Sequence, residues 1–447
     1  MAVGLPPNGD HRFQSFALAI MDYDTGRSPS GDGLATKGRF NVKPKAVLAY
    51  CREKGIKAVD IRFPDALGRW RHFSIPASSL TESVFETGLG QESCFYYDSI
   101  DDQTPWILVP VQDSHYLDPL QSEPTLVLMA TLQDAWSGEE CWFDPRSIAV
   151  RCVEAFRGSG VADEVLYASA VPFRLHHPAS SAQPSDPLDL QSPAQNHALA
   201  GGRFDPDAWF RANLMHLALE SGLTIERHYR GSQASSEFLI GAKPLVQACD
   251  DHLLLRSLIE TTAMQQGLAM DQTDLVSKSA WTFLKGSEAL LGGSRGFGLS
   301  EVGWYAAGGV LKHANALTAI GASSPMVSRL PPRSWKLALS DRMHDSLVAV
   351  DPVSNDPRYR SLAYRSMPAL SCPYLTMSAV AMAMLDGILR KLAPPTEVKS
   401  SSESAAGKSK SQLAEQLAED TSFLMHGEVF SERLIAALCK QLVHSTV

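Results

Sequence analysis

The feature that most constrains the fold is an apolar segment near the middle of the chain, residues 165–175. Positions 165, 166, 171, 173 and 175 are apolar, with aromatic and small residues between them. Gly160 lies upstream, and a His-His-Pro sequence ends the segment. An apolar run of this length between turn-forming residues predicts a buried central strand of a sheet. Taken alone, the segment predicts a part of the hydrophobic core and no functional site.

Length and composition indicate two domains, or one large domain with an appendage. The chain has 447 residues, of which 44% are hydrophobic and 20% charged, as is ordinary for a globular enzyme-like chain. Its net charge of -9 argues against nucleic acid or an anionic membrane surface as the main partner, because either favours a basic face. No apolar run reaches the roughly 18 residues of a spanning helix, and the N-terminus lacks a signal-peptide pattern. We therefore predict a cytoplasmic protein with no membrane and no nucleic-acid partner.

The cysteine, histidine and glycine patterns predict neither a disulfide framework nor a metal or phosphate loop. The seven cysteines are far apart and include no CxxC pair, so reduced and mostly buried thiols are expected. His176 and His177 are interpreted as part of a solvated loop, because no carboxylate or cysteine lies at ligand spacing. Residues 292–298 are glycine-rich but lack the lysine-serine end of a phosphate-binding loop, which favours a plain turn.

Composition also divides the chain into segments. Residues 1–44 are rich in Gly, Pro, Ser and Asp, which predicts a disordered leader. A helix is predicted over 44–54, followed by two alternating strands that form a hairpin through a turn at Gly68. Residues 392–411 form a polar linker, and 412–447 are predicted to hold two short C-terminal helices.

Residues 144–149 read D-P-R-S-I-A, and residues 298–330 contain G-L-S-E, A-G-G-V-L-K-H-A and S-R-L in that order. These motifs resemble those of the type I glutamine synthetases, where the corresponding text is D-P-R-S-I-A, G-L-S-E, I-G-G-V-I-K-H-A and K-R-L. Residues 372–388 resemble N-P-Y-L and L-D-G-I. The predicted hairpin matches the family's β-grasp text through Val59, Asp60, Arg62, Phe63, Asp65, Gly68, His72, Ile75, Pro76 and Ala77. The resemblance spans about residues 45–440.

The resemblance implies an α+β fold and an oligomer. A small N-terminal β-grasp domain would occupy residues 45–119, and a catalytic-type domain with a curved antiparallel sheet would occupy 120–391, entered by an apolar strand at 125–131. Family active sites form between adjacent subunits, so a homo-oligomeric ring is expected. We predict a hexamer, because the chain stops short of the family segment that clasps opposing rings.

The resemblance fails at the residues that bind metal. In the family, two glutamates of an E-P-E strand bind divalent metals, and the matching positions here are Ala170 and Pro172. Family metal ligands also match a position near Tyr229 and match Glu237, Ser279 and Ala363, of which Glu237 alone is retained. Nearby substitutions include Trp281 for a substrate-binding histidine and Gln91 for an ammonium-pocket aspartate. A single carboxylate cannot hold magnesium, which needs several oxygen ligands together.

This loss predicts a catalytically inactive homologue with a structural or regulatory role and no cofactor. Two alternatives stay open. In one, Arg329, Arg342 and Arg365 bind a small anion or amino acid in the vestigial site, against the simpler possibility that these arginines pair with carboxylates across subunits. In the other, the chain is an ATP-dependent glutamate-ammonia or related γ-glutamyl ligase that binds Mg²⁺ and ATP through atypical ligands.

Overall fold

The computed structural model has an α+β fold, as predicted, and describes most of the chain. The described residues are 43–65, 68–91, 104–176, 198–199, 201–202, 205–232, 234–327, 336–341, 346–352, 360–395 and 408–444. The predicted leader up to residue 42, most of the predicted linker, Arg329 and Arg342 lie outside them.

The first sheet lies in the N-terminal part of the chain. A helix, α1 (Pro44–Glu53), precedes it, as predicted. Its strands are β1 (Ala58–Pro64), β2 (Trp70–Pro76), β3 (Leu89–Gln91), β4 (Trp106–Pro110), β5 (Tyr116–Leu117) and β6 (Thr125–Asp134). The order is β2-β1-β6-β4-β3, with β5 beside β6. The predicted hairpin is confirmed, because β1 and β2 pair antiparallel with Arg62 opposite His72.

The strand β6 corrects the domain assignment. Residues 125–131 were expected to open the large domain, but β6 lies in the middle of the first sheet, parallel to β1 and antiparallel to β4. Leu126, Val127 and Leu128 are fully buried. A central strand of either sheet is buried on both faces, so its continuous apolar sequence could not show to which sheet it belongs.

The second sheet contains the segment from which the sequence analysis began. Its strands are β7 (Glu164–His176), β8 (Ile225–Arg230), β9 (Ser236–Pro244), β10 (Ala269–Asp271), β11 (Val276–Lys285), β12 (Glu288–Ala289), β13 (Lys336–Ser340), β14 (Ser346–Pro352) and β15 (Arg360–Pro368). The order is β13-β14-β15-β11-β7-β9-β8, antiparallel except for the β13–β14 pair. The predicted central strand is confirmed, since β7 lies between β11 and β9.

Helices cover one side of this sheet. The remaining helices are α2 (Val84–Thr87), α3 (Pro145–Gly158), α4 (Ala208–Glu220), α5 (Leu245–Gln265), α6 (Glu301–Lys312), α7 (Ala314–Ala322), α8 (Pro373–Arg390), α9 (Lys410–Glu419), α10 (Ser422–Met425) and α11 (Glu432–His444). The helix α5 packs on β7 and β9, and α3 and α5 both contact α8. None of the described helices is long and apolar enough to cross a membrane.

Local sequence explains how the helices begin and how they pack. The helix α3 starts at Pro145 behind Asp144, whose carboxylate accepts the N–H groups of Arg146 and Ser147. The helices α6 and α8 cross at two glycines. A Cβ on Gly309 would lie 2.0 Å from the Ala383 carbonyl oxygen, so only glycine permits this approach.

Candidate functional site

The second sheet has two faces with different side chains. On the first, the helix face, Tyr167 and Trp281 pack in the main core with residues of the covering helices. On the second, Ala280 pairs with Ala168 of β7 and with Ala363 of β15. Paired residues of antiparallel strands point to the same side. We call the side that carries these three residues the alanine face.

The alanine face brings together most of the positions that the family resemblance singled out. Ala170 lies two residues beyond Ala168 and therefore on the same side. Pro172 lies two residues further and pairs with Glu237 of β9, which in turn pairs with Tyr229 of β8. With Ala363, these positions form one region of neighbouring strands.

Ser279 does not belong to that region. It pairs with Ser169, whose hydroxyl contacts Nδ1 of His252 on the helix face at 3.1 Å. Ser279, which the sequence analysis matched to a metal position, thus lies on the helix face together with Trp281. The side chain of this strand that reaches Glu237 is Lys278. A one-residue slip reverses the face of every side chain, and the missing histidines left no fixed point for the register.

Glu237 accepts two hydrogen bonds on the alanine face. Its Oε2 accepts from the Tyr229 hydroxyl at 2.7 Å and from the Lys278 ammonium at 2.9 Å. The Glu237 side chain is 8% exposed, whereas that of Lys278 is 46% exposed. A buried carboxylate is costly unless it is paired and hydrogen-bonded. The lysine thus supplies the positive charge that this carboxylate requires, and it reaches solvent at the same time.

The other carboxylate oxygen of Glu237 is closely packed. A Cβ placed on Gly231 would lie 2.6 Å from Glu237 Oε1 and 2.4 Å from Ser235 Oγ. The main chain at Gly231 therefore lies against the carboxylate, and no larger residue fits without a shift. This packing fixes the orientation of Glu237 toward Lys278.

A bulge places an arginine beside the lysine. The register between β11 and β15 shifts between Ser277 and Ser279, so that Lys278 lies opposite Arg365 and Ser366. Bulges redirect side chains and are frequent next to functional sites. Arg365 is buried and shares the alanine face with Ala363 by alternation. Of the three predicted arginines, it is the one within the described residues.

The side chains of the alanine face do not fit a divalent metal. Ala170, Pro172 and Ala363 offer no side-chain ligand atoms, and Glu237 supplies one carboxylate that a lysine already neutralises. Magnesium is usually held by one or two carboxylates together with waters and substrate phosphates, and the one carboxylate here is already engaged by the lysine. Over the described residues, no group of three or more His, Cys, Asp or Glu could hold a metal ion.

Lys278 is the site residue that the sequence analysis missed. It precedes a run of buried residues, 279–284, in a strand with few charges. A lysine next to such a buried run indicates a carboxylate partner on a neighbouring strand, because its charge lies beside side chains that are removed from water. The partner itself cannot be identified without the register.

Two other sequence features have structural rather than chemical roles. The glycine-rich residues 292–298 form a turn closed by a bridge between Gly292 and Leu299, as predicted. His176 ends β7, with Nε2 3.8 Å from Asp271 Oδ2, whereas His177 lies outside the described residues. The described cysteines are free thiols, and all but Cys439 are buried.

The helix face carries a second charged cluster, in the interior. Arg146 donates from Nε and Nη2 to the two oxygens of Asp250, each at 3.2 Å, and the Tyr374 hydroxyl donates to the same carboxylate. Burial opposes the charge of Arg146, but the adjacent Asp250 carboxylate raises its pKa above the usual value. Burial, with a smaller contribution from Arg256, lowers the pKa of His252 to about 3.

Comparisons with known proteins agree with this architecture. The family model described as "Glutamine synthetase, catalytic domain" matches residues 143–445. The glutamine synthetase of Methylococcus capsulatus is 28% identical over 444 residues, which cover 88% of this chain and 94% of that protein. The 3-hydroxylaminophenol mutase of Cupriavidus pinatubonensis is 28% identical over 443 residues, covering 88% and 93%. The cryo-EM structure of Plasmodium falciparum glutamine synthetase has the same fold, with a TM-score of 0.77 at 15% identity over 91% of this chain and 96% of that one. The family model covers well over half of the sequence, and the protein therefore belongs to the glutamine synthetase catalytic-domain family.

Proposed function

We propose that this member of the glutamine synthetase family does not catalyse ATP-dependent ligation and instead has a structural or regulatory role. The observation that supports this proposal is the ion pair between Lys278 and Glu237 at 2.9 Å. The retained carboxylate of the metal site is neutralised by a cation of the protein itself. The neighbouring residues Ala170, Pro172 and Ala363 have no side-chain atoms that could bind a metal ion.

The chemistry of the family reaction explains why this substitution matters. Phosphoryl transfer from ATP depends on metal ions that position the phosphates and offset the charge that develops in the transition state. An ammonium group hydrogen-bonded to Glu237 repels a divalent cation from the same carboxylate. Each lost electrostatic contact of this kind costs on the order of 10²–10³ in rate, and several are lost together.

A second candidate function is a sensor that binds a small anion without turning it over. The half-exposed Lys278 ammonium and its cross-strand neighbour Arg365 favour it. We also propose that the protein forms a homo-oligomeric ring, as the family resemblance implies, and that this ring is a hexamer. Light scattering tests this directly, and a dodecamer would contradict the hexamer.

Calorimetry followed by a turnover assay tests the proposed function. ATP is titrated with Mg²⁺, and phosphate release is then measured with glutamate and ammonia at the same protein concentration. A parallel incubation with 3-hydroxylaminophenol addresses the reaction named for the mutase relative. We expect no phosphate release and no isomerised product. Heat of binding without turnover favours the sensor, the absence of both favours a structural role, and turnover with either substrate refutes the proposal.

A further inference from the structure

We infer that Lys278 occupies the place of a cation beside Glu237 and that, with Arg365, it forms a metal-independent site for a small carboxylate ligand. The inference deepens the sensor alternative and rests on the proposed loss of metal-dependent ligation. It concerns a binding site centred on a lysine, which the family's metal-ligand pattern does not contain.

The position of Lys278 follows from the strand register. Ser279 pairs with Ser169, so extending the register by one residue places Lys278 opposite Ala170. The lysine stem therefore crosses a methyl group to reach Glu237 Oε2, which lies near the next paired position, Pro172. A longer side chain at 170 would occupy that path. The small side chain of Ala170 therefore leaves the space through which Lys278 reaches Glu237.

The donors of Lys278 are only partly used. An ammonium group has three N–H donors and no acceptor. Among the described residues, Glu237 is the hydrogen-bond partner of this ammonium. The side chain is 46% exposed, so its remaining donors are available to a ligand from solvent. Glu237, held by Tyr229 and packed against Gly231, fixes the direction in which they point.

The second cation determines which ligand fits. The bulge in β15 places Arg365 opposite Lys278 and on the same face of the sheet, beside a ligand held by the lysine. A guanidinium presents N–H donors in a plane that matches a carboxylate, and an ammonium adds a point charge. One carboxylate group bridging the two cations satisfies both geometries. No metal ion takes part, because the ammonium already holds Glu237.

The test uses trifluoroacetate as a carboxylate probe that fluorine NMR detects at millimolar affinity. The full-length protein is titrated in a buffer with EDTA and no other carboxylate, and trifluoroacetamide serves as the matched uncharged control. We expect concentration-dependent broadening for the anion with a dissociation constant on the order of 1 mM, unchanged by excess Mg²⁺. The amide should show none. Inorganic phosphate, added as a competitor, distinguishes a carboxylate site from a general anion site.

Variants locate the binding. The pair Lys278→Met with Glu237→Gln removes both charges and keeps the fold, whereas Lys285→Met removes a lysine from the far end of the same strand. The double variant should weaken probe binding about tenfold or more, and Lys285→Met should bind as the wild type does. Arg365→Lys, which loses the planar donors, should bind less tightly, with folding checked by circular dichroism.

Four results would overturn the inference: unchanged binding in the double variant or in Arg365→Lys, a requirement for Mg²⁺, displacement by phosphate in preference to carboxylates, or no broadening at all. The proposed loss of ligation is judged separately by phosphate release from ATP. Turnover with no probe binding would therefore refute both, whereas metal-free binding with turnover would refute the proposed function alone.

Discussion

On each side of the second sheet a carboxylate, a cation and a tyrosine hydroxyl lie together, on the covering helices on one side and on the strands on the other, but the two clusters differ in exposure. On the helix face, Arg146, Asp250 and Tyr374 are all buried, and the arginine binds both carboxylate oxygens. On the alanine face, Glu237 is buried, yet Lys278 is 46% exposed. In the first cluster the arginine and the carboxylate are both buried, whereas in the second the cation has donors that reach solvent.

This difference separates the residues that maintain the fold from those that determine chemistry. Large side chains of the helix face pack β7 and β11 against the covering helices, and the buried Arg146–Asp250 pair joins α3 to α5. None of those contacts involves the alanine face. Substitutions on the alanine face therefore leave the contacts that hold the sheet and helices together unchanged. A family fold with an altered site is the expected result.

The largest effect should come from breaking the helix-face cluster. Replacing Arg146 with methionine leaves the Asp250 carboxylate buried without its cation. Removing one partner of a buried pair typically lowers the free energy of unfolding by about 3–5 kcal/mol. The midpoint of urea denaturation, compared with that of Arg390→Met at an exposed ion pair, measures this effect. An effect of Arg146→Met no larger than that of Arg390→Met would show that the two clusters are not energetically distinct.

A second prediction concerns the pH dependence of stability through His252, also on the helix face. Its pKa is about 3 in the folded protein and 6.5 as a model value. Below pH 6.5 the unfolded chain binds a proton that the folded protein does not, so stability falls as pH falls toward 3. The slope reaches about 1 kcal/mol per pH unit.

The matched variant is His252→Asn, which keeps a polar atom near Ser169 and cannot titrate. Urea midpoints at pH 7, 6 and 5 are compared between the two proteins, so that contributions of other groups cancel. The wild type should lose more stability than the variant over this interval. Parallel pH dependences would mean that the folded protein accepts the proton at His252.

The sequence predicted the individual strands and helices better than it predicted the sheet to which each strand belongs. The central strand, the hairpin and the helix at α1 followed from apolar runs, alternation and turn residues. The sheet that contains β6 could not be predicted in this way, because central strands of both sheets are buried on both faces and have the same apolar pattern. The glycine motif of α6 marked a close crossing with α8, but only the structure identified Gly387 as the opposite residue.

At the site, the sequence identified the positions that lack the expected metal ligands, but it did not identify the lysine that pairs with the remaining carboxylate. Ala170, Pro172 and Ala363 stood out because small or cyclic residues replaced expected carboxylates. Lys278 did not, because its role depends on a strand register that the sequence leaves open by one residue. Long-range pairs such as Lys278 with Glu237, and Arg146 with Asp250, arise from tertiary packing and leave no pattern along the chain.

A smaller effect is expected from separating the charges of the alanine face. Lys278→Met leaves Glu237 without a cation, but solvent reaches the site, so the loss in unfolding free energy should be about 1 to 2 kcal/mol. Adding Glu237→Gln should recover most of it, since both charges are then absent. Urea midpoints of the wild type, both single variants and the double variant together give the interaction free energy between Lys278 and Glu237. Additive effects of the two substitutions would contradict a direct ion pair.

The smallest effect should come from the tyrosine hydroxyl of the alanine face, compared with its counterpart on the helix face. Tyr229→Phe removes one donor from Glu237, which keeps Lys278, and water can approach the half-buried ring. The expected cost is about 0.5 to 1 kcal/mol, against about 1.5 to 3 kcal/mol for Tyr374→Phe, because Tyr374 is fully buried and donates to the buried Asp250 carboxylate. Thermal or urea denaturation of the two variants measures the difference. Equal losses would mean that Glu237 is as isolated from solvent as Asp250, which would contradict a site on the alanine face that is open to a ligand.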